Sequence, residues 1–211
     1  MNTQDESAIS VLLVDDHAVV RAGYRRLLAS AADIRVTGEA ETGETAYRMV
    51  SSCAYDVVVM DLSLPGMSGI EACSRIRRRR PSTRVLMFSV HEEAIFVRRA
   101  LQAGAAGYLT KRAVADMLVA AVREVAAGRG YLETGLADAA GEQDPLACLS
   151  QREFEVFRLL ADGHGVQSIA EQLFLSSKTV SNHASRLRAK LGAESATDLI
   201  RLAIRRGVVA A

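Results

Sequence analysis

The sequence predicts a doubly wound α/β domain on a five-stranded parallel sheet, followed by a small all-α helix-turn-helix domain. Three observations carry this. Between Ser10 and Gly128, short β-branched runs alternate with stretches of 3.6-residue periodicity. Those runs are apolar throughout rather than alternating, which marks strands covered on both faces. From Leu149 onward no strand candidates remain and four helical stretches follow.

The first run, SVLLVD, ends on Asp15-Asp16. HAVVRAGYRRLLASA carries the apolar spacing of a helix, and IRVTGEA forms the second strand. DVVVMD, the third strand, ends on Asp61 and runs into a loop holding Pro65, Gly66 and Gly69. RVLMFS, the fourth, ends on Ser89; AGYLT, the fifth, is followed by Lys111; DMLVAAVREVAAG closes the unit as a helix. Five strands alternating with five helices imply a parallel sheet wound on both sides. Residues 129–147, RGYLETGLADAAGEQDPLA, are rich in Gly, Ala and acid and form a linker with room for one short helix. LSQREFEVFRLLADG then opens with a Ser150-x-x-Glu153 capping box and stops at Gly163. A short helix, a turn at Phe174-Leu175-Ser176 and a longer helix capped by Ser176 or Ser177 give a helix-turn-helix outline. The final helix is SATDLIRLAIRRG, whose Leu199, Leu202 and Ala203 suit either pairing with another copy or packing in its own domain.

Composition narrows the function classes. The 211 residues are 49% hydrophobic and 24% charged with a net charge of +1, as in a soluble globular protein. No apolar run approaches the roughly 18 residues of a membrane span. The polar, acidic MNTQDESAIS is unlike a signal peptide, so a cytoplasmic protein is expected. Cys53, Cys73 and Cys148 form no CxxC pair, and His17, His91, His164 and His183 share no metal spacing. The densest charge run, RIRRRRP (Arg75 to Pro81), falls at a helix end, where cations complement the dipole.

Ligands of an open parallel sheet bind beyond the carboxyl ends of its strands. Asp15, Asp16 and Asp61 would share one crevice there, with Ser89 and Lys111 at the same edge. Three clustered anions need a cation, and an all-oxygen set suits Mg²⁺. Carboxylates, a hydroxyl and an ammonium are parts for phosphoryl chemistry.

VLLVDDH, VVVMDLSLPGMSG, VLMFS and AGAAGYLTK resemble the signature segments of a response-regulator receiver domain, a flavodoxin-like fold, over residues 8–128. The resemblance implies that Asp61 is the phosphoacceptor, and that Asp15 and Asp16 position Mg²⁺ together with Asp61 and the Ser63 main-chain carbonyl. It also implies that Ser89 and Lys111 contact the phosphoryl group, and that Tyr108 is the aromatic that changes rotamer. One departure is Arg112, which follows Lys111 where many receivers have proline.

On a helical wheel of the longer C-terminal helix, Val180, Ala184, Leu187 and Leu191 fall on one side. Lys178, Asn182, Ser185, Arg186 and Ala189 fall on the other. No acid occurs between Glu171 and Glu194. This face suits a major groove, with Asn182 able to read adenine and Lys178 or Arg186 to meet phosphates. LSQRE, SIAEQL and LSSKTVSNHASRLRAKLG resemble the LuxR-type DNA-binding domain over residues 148–211. By that resemblance Lys178 and Thr179 touch the DNA backbone, and Ser181, Asn182 and Ser185 face bases.

Together the two matches resemble the NarL/FixJ family of response regulators. The expected function is a two-component transcription factor, not an enzyme. Its partners would be a sensor histidine kinase, double-stranded promoter DNA, RNA polymerase and a second copy of itself, with no membrane. A phosphatase of the haloacid-dehalogenase-like type would need an Asp-x-Asp pattern, and Ser63 stands where the second acid belongs. A receiver kept as a dimer scaffold, binding DNA without phosphorylation, is opposed by the complete set Asp15, Asp16, Asp61, Ser89 and Lys111.

Overall fold

Burial on both faces decides the sheet. Val57 to Met60 are all at most 2% exposed, as are Val11, Leu12, Val85, Leu86, Met87, Tyr108 and Leu109. Each such Val or Leu contributes about 1.5–3 kcal/mol relative to exposure. The computed structural model describes residues 8–113, 115–136 and 146–209. The chain divides into two compact units, the sheet with its helices and the C-terminal helices.

The first unit runs β1 (Ile9–Val14), α1 (Ala18–Leu28), β2 (Ile34–Ala40), α2 (Gly43–Ser52), β3 (Val57–Met60) and α3 (Gly69–Arg79). It continues with β4 (Arg84–Ser89), α4 (Ala94–Gln102), β5 (Gly107–Thr110), α5 (Ala115–Ala126) and β6 (Tyr131–Leu132). The strand order is β2-β1-β3-β4-β5-β6, every pairing parallel. Odd positions of β1 and β3 (Val11, Leu13, Val57, Val59) pack with Leu118, Val122 and Val125 of α5 in one core. Alternate residues of the same strands point to the opposite face.

The parallel α/β fold is as the sequence predicts, and the strand count differs: among the described residues the sheet has six strands where five are expected. Tyr131–Leu132, placed by the sequence in the linker, pairs with β5, whose outer edge otherwise presents unpaired backbone groups. The Tyr131 N–H donates to Ala106 O at 3.1 Å, and the Glu133 N–H to Tyr108 O at 3.2 Å. Two residues carry no periodicity, so the pattern could not reveal them. The linker, with room for one short helix, spans residues 129–147; its described residues, 129–136 and 146–147, hold β6 and turns, and residues 137–145 lie outside those described.

The arginine run behaves as a helix end. Arg77, Arg78 and Arg79 occupy the last turn of α3, and Arg77 donates to Thr83 O at 2.8 Å. The second unit comprises α6 (Gln151–Ala161), α7 (Val166–Gln172), α8 (Ser177–Leu191) and α9 (Ala196–Arg205). Phe157, Ile169, Val180, Leu187, Leu199 and Ala203 are buried in it. The Ser150/Glu153 capping box forms as the sequence predicts, and Gly163 ends α6 at φ 88. Ser176, not Ser177, caps α8, accepting from the Thr179 N–H. Leu199 and Ala203 of α9 are buried, which resolves two of its three stripe residues as packing, while Leu202 stays half-buried.

Candidate functional site

Strand register gathers the carboxylates. β1 and β3 are neighbours with Val14 opposite Met60, so Asp15 and Asp61 leave the sheet side by side. The Asp61 N–H donates to Val14 O at 2.9 Å, and the Lys111 N–H to Ser89 O at 2.8 Å. The Lys111 Nζ then donates to Asp15 Oδ2 at 2.7 Å and to Asp61 Oδ2 at 2.8 Å. Behind Asp61 the loop turns through Gly66 at φ 73 and folds back so tightly that a Cβ on Gly69 would lie 1.9 Å from Asp61 O. Only glycine fits there.

The electrostatics follow from burial. Burial pushes the Asp61 carboxyl above its ordinary 3.8, against the pull of Lys111. Burial also pulls on the Lys111 ammonium, but Asp61 and Asp15 outweigh it and hold the group above 10.5, so it stays charged. Tyr24 stands edge-on to Phe88 with centroids 4.7 Å apart, and burial raises its phenol.

The remaining pocket residues are brought close without all meeting. The Asp61 Oδ1 accepts from the Ser63 N–H at 3.4 Å, a long bond that leaves this oxygen accessible to a stronger partner. The Ser63 Oγ lies 3.2 Å from His91 Nε2. Ser89 is buried, its Oγ accepting from the His91 N–H at 3.2 Å. Tyr108 is buried with its hydroxyl donating to His91 O at 2.8 Å. Asp16 points to His17 instead of Lys111, with His17 Nδ1 2.9 Å from its Oδ1. The joint at Lys111–Arg112 has no cis peptide.

One histidine does come close to the acidic pair, although the four share no metal spacing. Asp15, Asp16 and His17 each bring a ligand atom within 4.8 Å of the others. Three consecutive residues at a bend converge through backbone curvature, which residue spacing does not register. The hard-oxygen donors Asp15, Asp16, Asp61 and the Ser63 carbonyl match the chemistry Mg²⁺ prefers.

Sequence reasoning missed two supports of this crevice. Arg21, in the first turns of α1, is buried and bonded to Asp15 O, Glu39 and Glu41. The available signal was a basic residue six positions after Asp15, facing a strand that ends among two glutamates. Glu133, just past β6, accepts from the Thr110 N–H at 2.7 Å, one residue before Lys111.

In the C-terminal unit, α8 sorts as the wheel predicts. Val180 and Leu187 are buried, and Ala184 and Leu191 half-buried; Lys178, Ser181, Asn182, Ser185, Arg186 and Ala189 are exposed. Thr179 is half-buried, its hydroxyl 2.8 Å from the Ser176 Oγ. Ser177 Oγ donates to Gln167 Oε1 at 2.7 Å and ties α8 to α7. Lys178, Arg186 and Arg188 make no ion pair among the described residues. Lys190 is different: its Nζ donates to Glu153 Oε2 at 2.6 Å and to Cys148 O at 3.1 Å, so it serves the fold. In the turn before α8, Phe174 adopts φ 51 and is 73% exposed, an uncommon backbone for a bulky residue.

Residues 11–123 match the response regulator receiver domain, and residues 147–203 match the bacterial regulatory proteins of the luxR family. The chain is 40% identical over 208 residues to the response regulator UvrY of Escherichia coli (strain K12), covering 95% of each chain. It is 39% identical over 209 residues to the response regulator GacA of Pseudomonas aeruginosa, covering 95% of this chain and 98% of that one. Among solved structures it resembles RcsB from Salmonella enterica serovar Typhimurium bound to promoter rprA in the presence of phosphomimetic BeF3-. That match has a TM-score of 0.66 and 27% identity, and covers 92% of this chain and 97% of that one.

Proposed function

The chain belongs to the two-component response regulators that join a receiver domain to a LuxR-type DNA-binding domain, and from that premise we propose that Asp61 is its switch residue. It is a phosphorylation-dependent transcriptional regulator, of a family that binds DNA and is not enzymatic. The observation that carries the assignment of Asp61 is Lys111 donating to both Asp15 and Asp61 at the sheet edge.

A sensor histidine kinase presents a phosphohistidine to the crevice. One Asp61 oxygen forms a P–O bond as the P–N bond breaks, and the imidazole leaves. Lys111 holds the acceptor carboxylate in place and offers its charge to the phosphoryl oxygens. Asp15, Asp16, Asp61 and the Ser63 main-chain carbonyl would hold Mg²⁺, which supplies positive charge to the transferring group when bound. The new group adds about −1.5 to −2 charges. The Ser89 hydroxyl turns from the His91 N–H toward it, and Tyr108, tied to the His91 carbonyl, registers the change. The C-terminal domain then binds a pair of promoter half-sites as a homodimer and meets RNA polymerase. Lys178, Thr179 and Arg186 contact phosphates, and Ser181, Asn182 and Ser185 face bases.

The test is labelling with a small phosphodonor and Mg²⁺, with the modified peptide mapped by mass spectrometry. The label should map to Asp61 and vanish in Asp61→Asn. A label that persists in the variant contradicts the assignment.

A further inference from the structure

We propose that Arg21 is a positioning residue for the cation site: its guanidinium fixes the peptide between Asp15 and Asp16, the backbone from which both carboxylates spring. This rests on the reading of Asp15 and Asp16 as cation ligands.

A buried arginine is uncommon and costly unless fully paired. Arg21 is 9% exposed and spends three nitrogens on three acceptors. Nη1 donates to Asp15 O at 2.7 Å, Nε to Glu39 Oε2 at 3.0 Å, and Nη2 to Glu41 Oε1 at 2.9 Å. Glu39 belongs to β2 and Glu41 follows it, so the fork is anchored on the sheet and reaches the acidic segment from a fixed base. The carbonyl it grips belongs to the planar peptide unit that joins the Asp15 and Asp16 Cα atoms, so holding the oxygen holds that plane and with it ψ of Asp15 and φ of Asp16. Each carboxylate is then steered at its root. The carboxylates themselves are held at their tips, by Lys111 Nζ on Asp15 Oδ2 at 2.7 Å, the His17 N–H on Asp15 Oδ1 at 2.8 Å and His17 Nδ1 2.9 Å from Asp16 Oδ1, while on the main chain the Arg21 bond is joined by the Asp15 N–H donating to Ala40 O at 3.1 Å. Groups that orient metal ligands typically change affinity 10–100-fold when removed.

A plain α1–β2 staple would give the same bonds to Glu39 and Glu41 but no effect on the cation. Arg25 supplies the control. It pairs with Glu39 at 3.4 Å and has no bond to the Asp15 main chain.

The experiment titrates the full chain with MgCl₂ and follows backbone amide shifts by NMR, for wild type, Arg21→Gln, Arg21→Lys and Arg25→Gln. Arg21→Gln should raise the Mg²⁺ Kd about tenfold or more. Arg21→Lys should fall between it and wild type, because an ammonium can reach the carbonyl but cannot form the fork. Arg25→Gln should stay within about twofold. If Arg21→Gln does not fold, Glu41→Gln, which frees one arm of the fork, should still weaken Mg²⁺ several-fold. A folded Arg21→Gln with the wild-type Kd overturns the proposal. Wild type that binds no Mg²⁺ overturns the cation-site reading, and this proposal with it.

Discussion

The crevice at the ends of β1, β3 and β5 settles its charges internally, whereas the outer face of α8 leaves its charges to solvent. Lys111 is divided between Asp15 and Asp61, and Arg21 among Asp15, Glu39 and Glu41. On α8, Lys178, Arg186 and Arg188 have no ion pair among the described residues, and the short side chains Ser181, Asn182 and Ser185 stand exposed. A site that performs chemistry needs fixed, partly desolvated groups. A site that reads DNA needs donors and cations that no neighbour has claimed. On the proposed function, the α8 face requires no remodelling of its own side chains, and a switch at Asp61 has only to govern when that face is used.

The largest expected effect tests the rigidity of the crevice. Gly69→Ala places a Cβ against Asp61 O, with backbone rather than a yielding side chain in the way. It should cost about 3 kcal/mol or more, read by urea unfolding. Gly192→Ala, which ends α8 at φ 61 in open space, should cost only about 1 kcal/mol. Equal losses would erase the contrast between the two regions.

A second prediction concerns the open face. Asn182→Ala should weaken binding to a specific promoter site by about 1–3 kcal/mol and leave binding to random DNA nearly unchanged. Titrations on both duplexes at one salt concentration decide it. An equal loss on random DNA would make Asn182 a backbone contact.

The smallest effect concerns the fixed side of α8. Burial opposes ionisation of Glu153, but Lys190 and Ser150 overcome it and hold its carboxyl down to about 2, from 4.5. A depressed acid stabilises the fold fully above its unfolded pKa and loses that contribution as pH falls from about 4.5 toward 2. Thermal unfolding followed across that window should therefore fall less steeply for Glu153→Gln than for wild type. The variant should also be about 1 kcal/mol less stable at neutral pH. Parallel pH profiles would contradict the ion pair's role.

Much of this was legible in the sequence, for physical reasons. The strands showed because burial on both faces forces unbroken apolar runs such as Val57 to Met60, and α8 showed because its core stripe and its exposed face separate on a wheel. The crevice was legible because Asp15, Asp16, Asp61, Ser89 and Lys111 all sit at or just past the carboxyl end of a strand, where topology alone brings them together. What stayed hidden depends on where a long side chain ends. Arg21 looked like any cation on an amphipathic helix, and Lys190 like one more cation in the acid-free stretch between Glu171 and Glu194. β6 escaped because two residues have no period, and Glu133 because a carboxylate serving a backbone N–H leaves no pattern.

The most direct test of the whole account is DNA binding before and after treatment with a small phosphodonor and Mg²⁺, for wild type and Asp61→Asn, with genomic fragments as bait. Wild type should gain affinity on treatment and the variant should not. Equal binding by both proteins, treated or untreated, would contradict the switch and leave DNA recognition independent of Asp61.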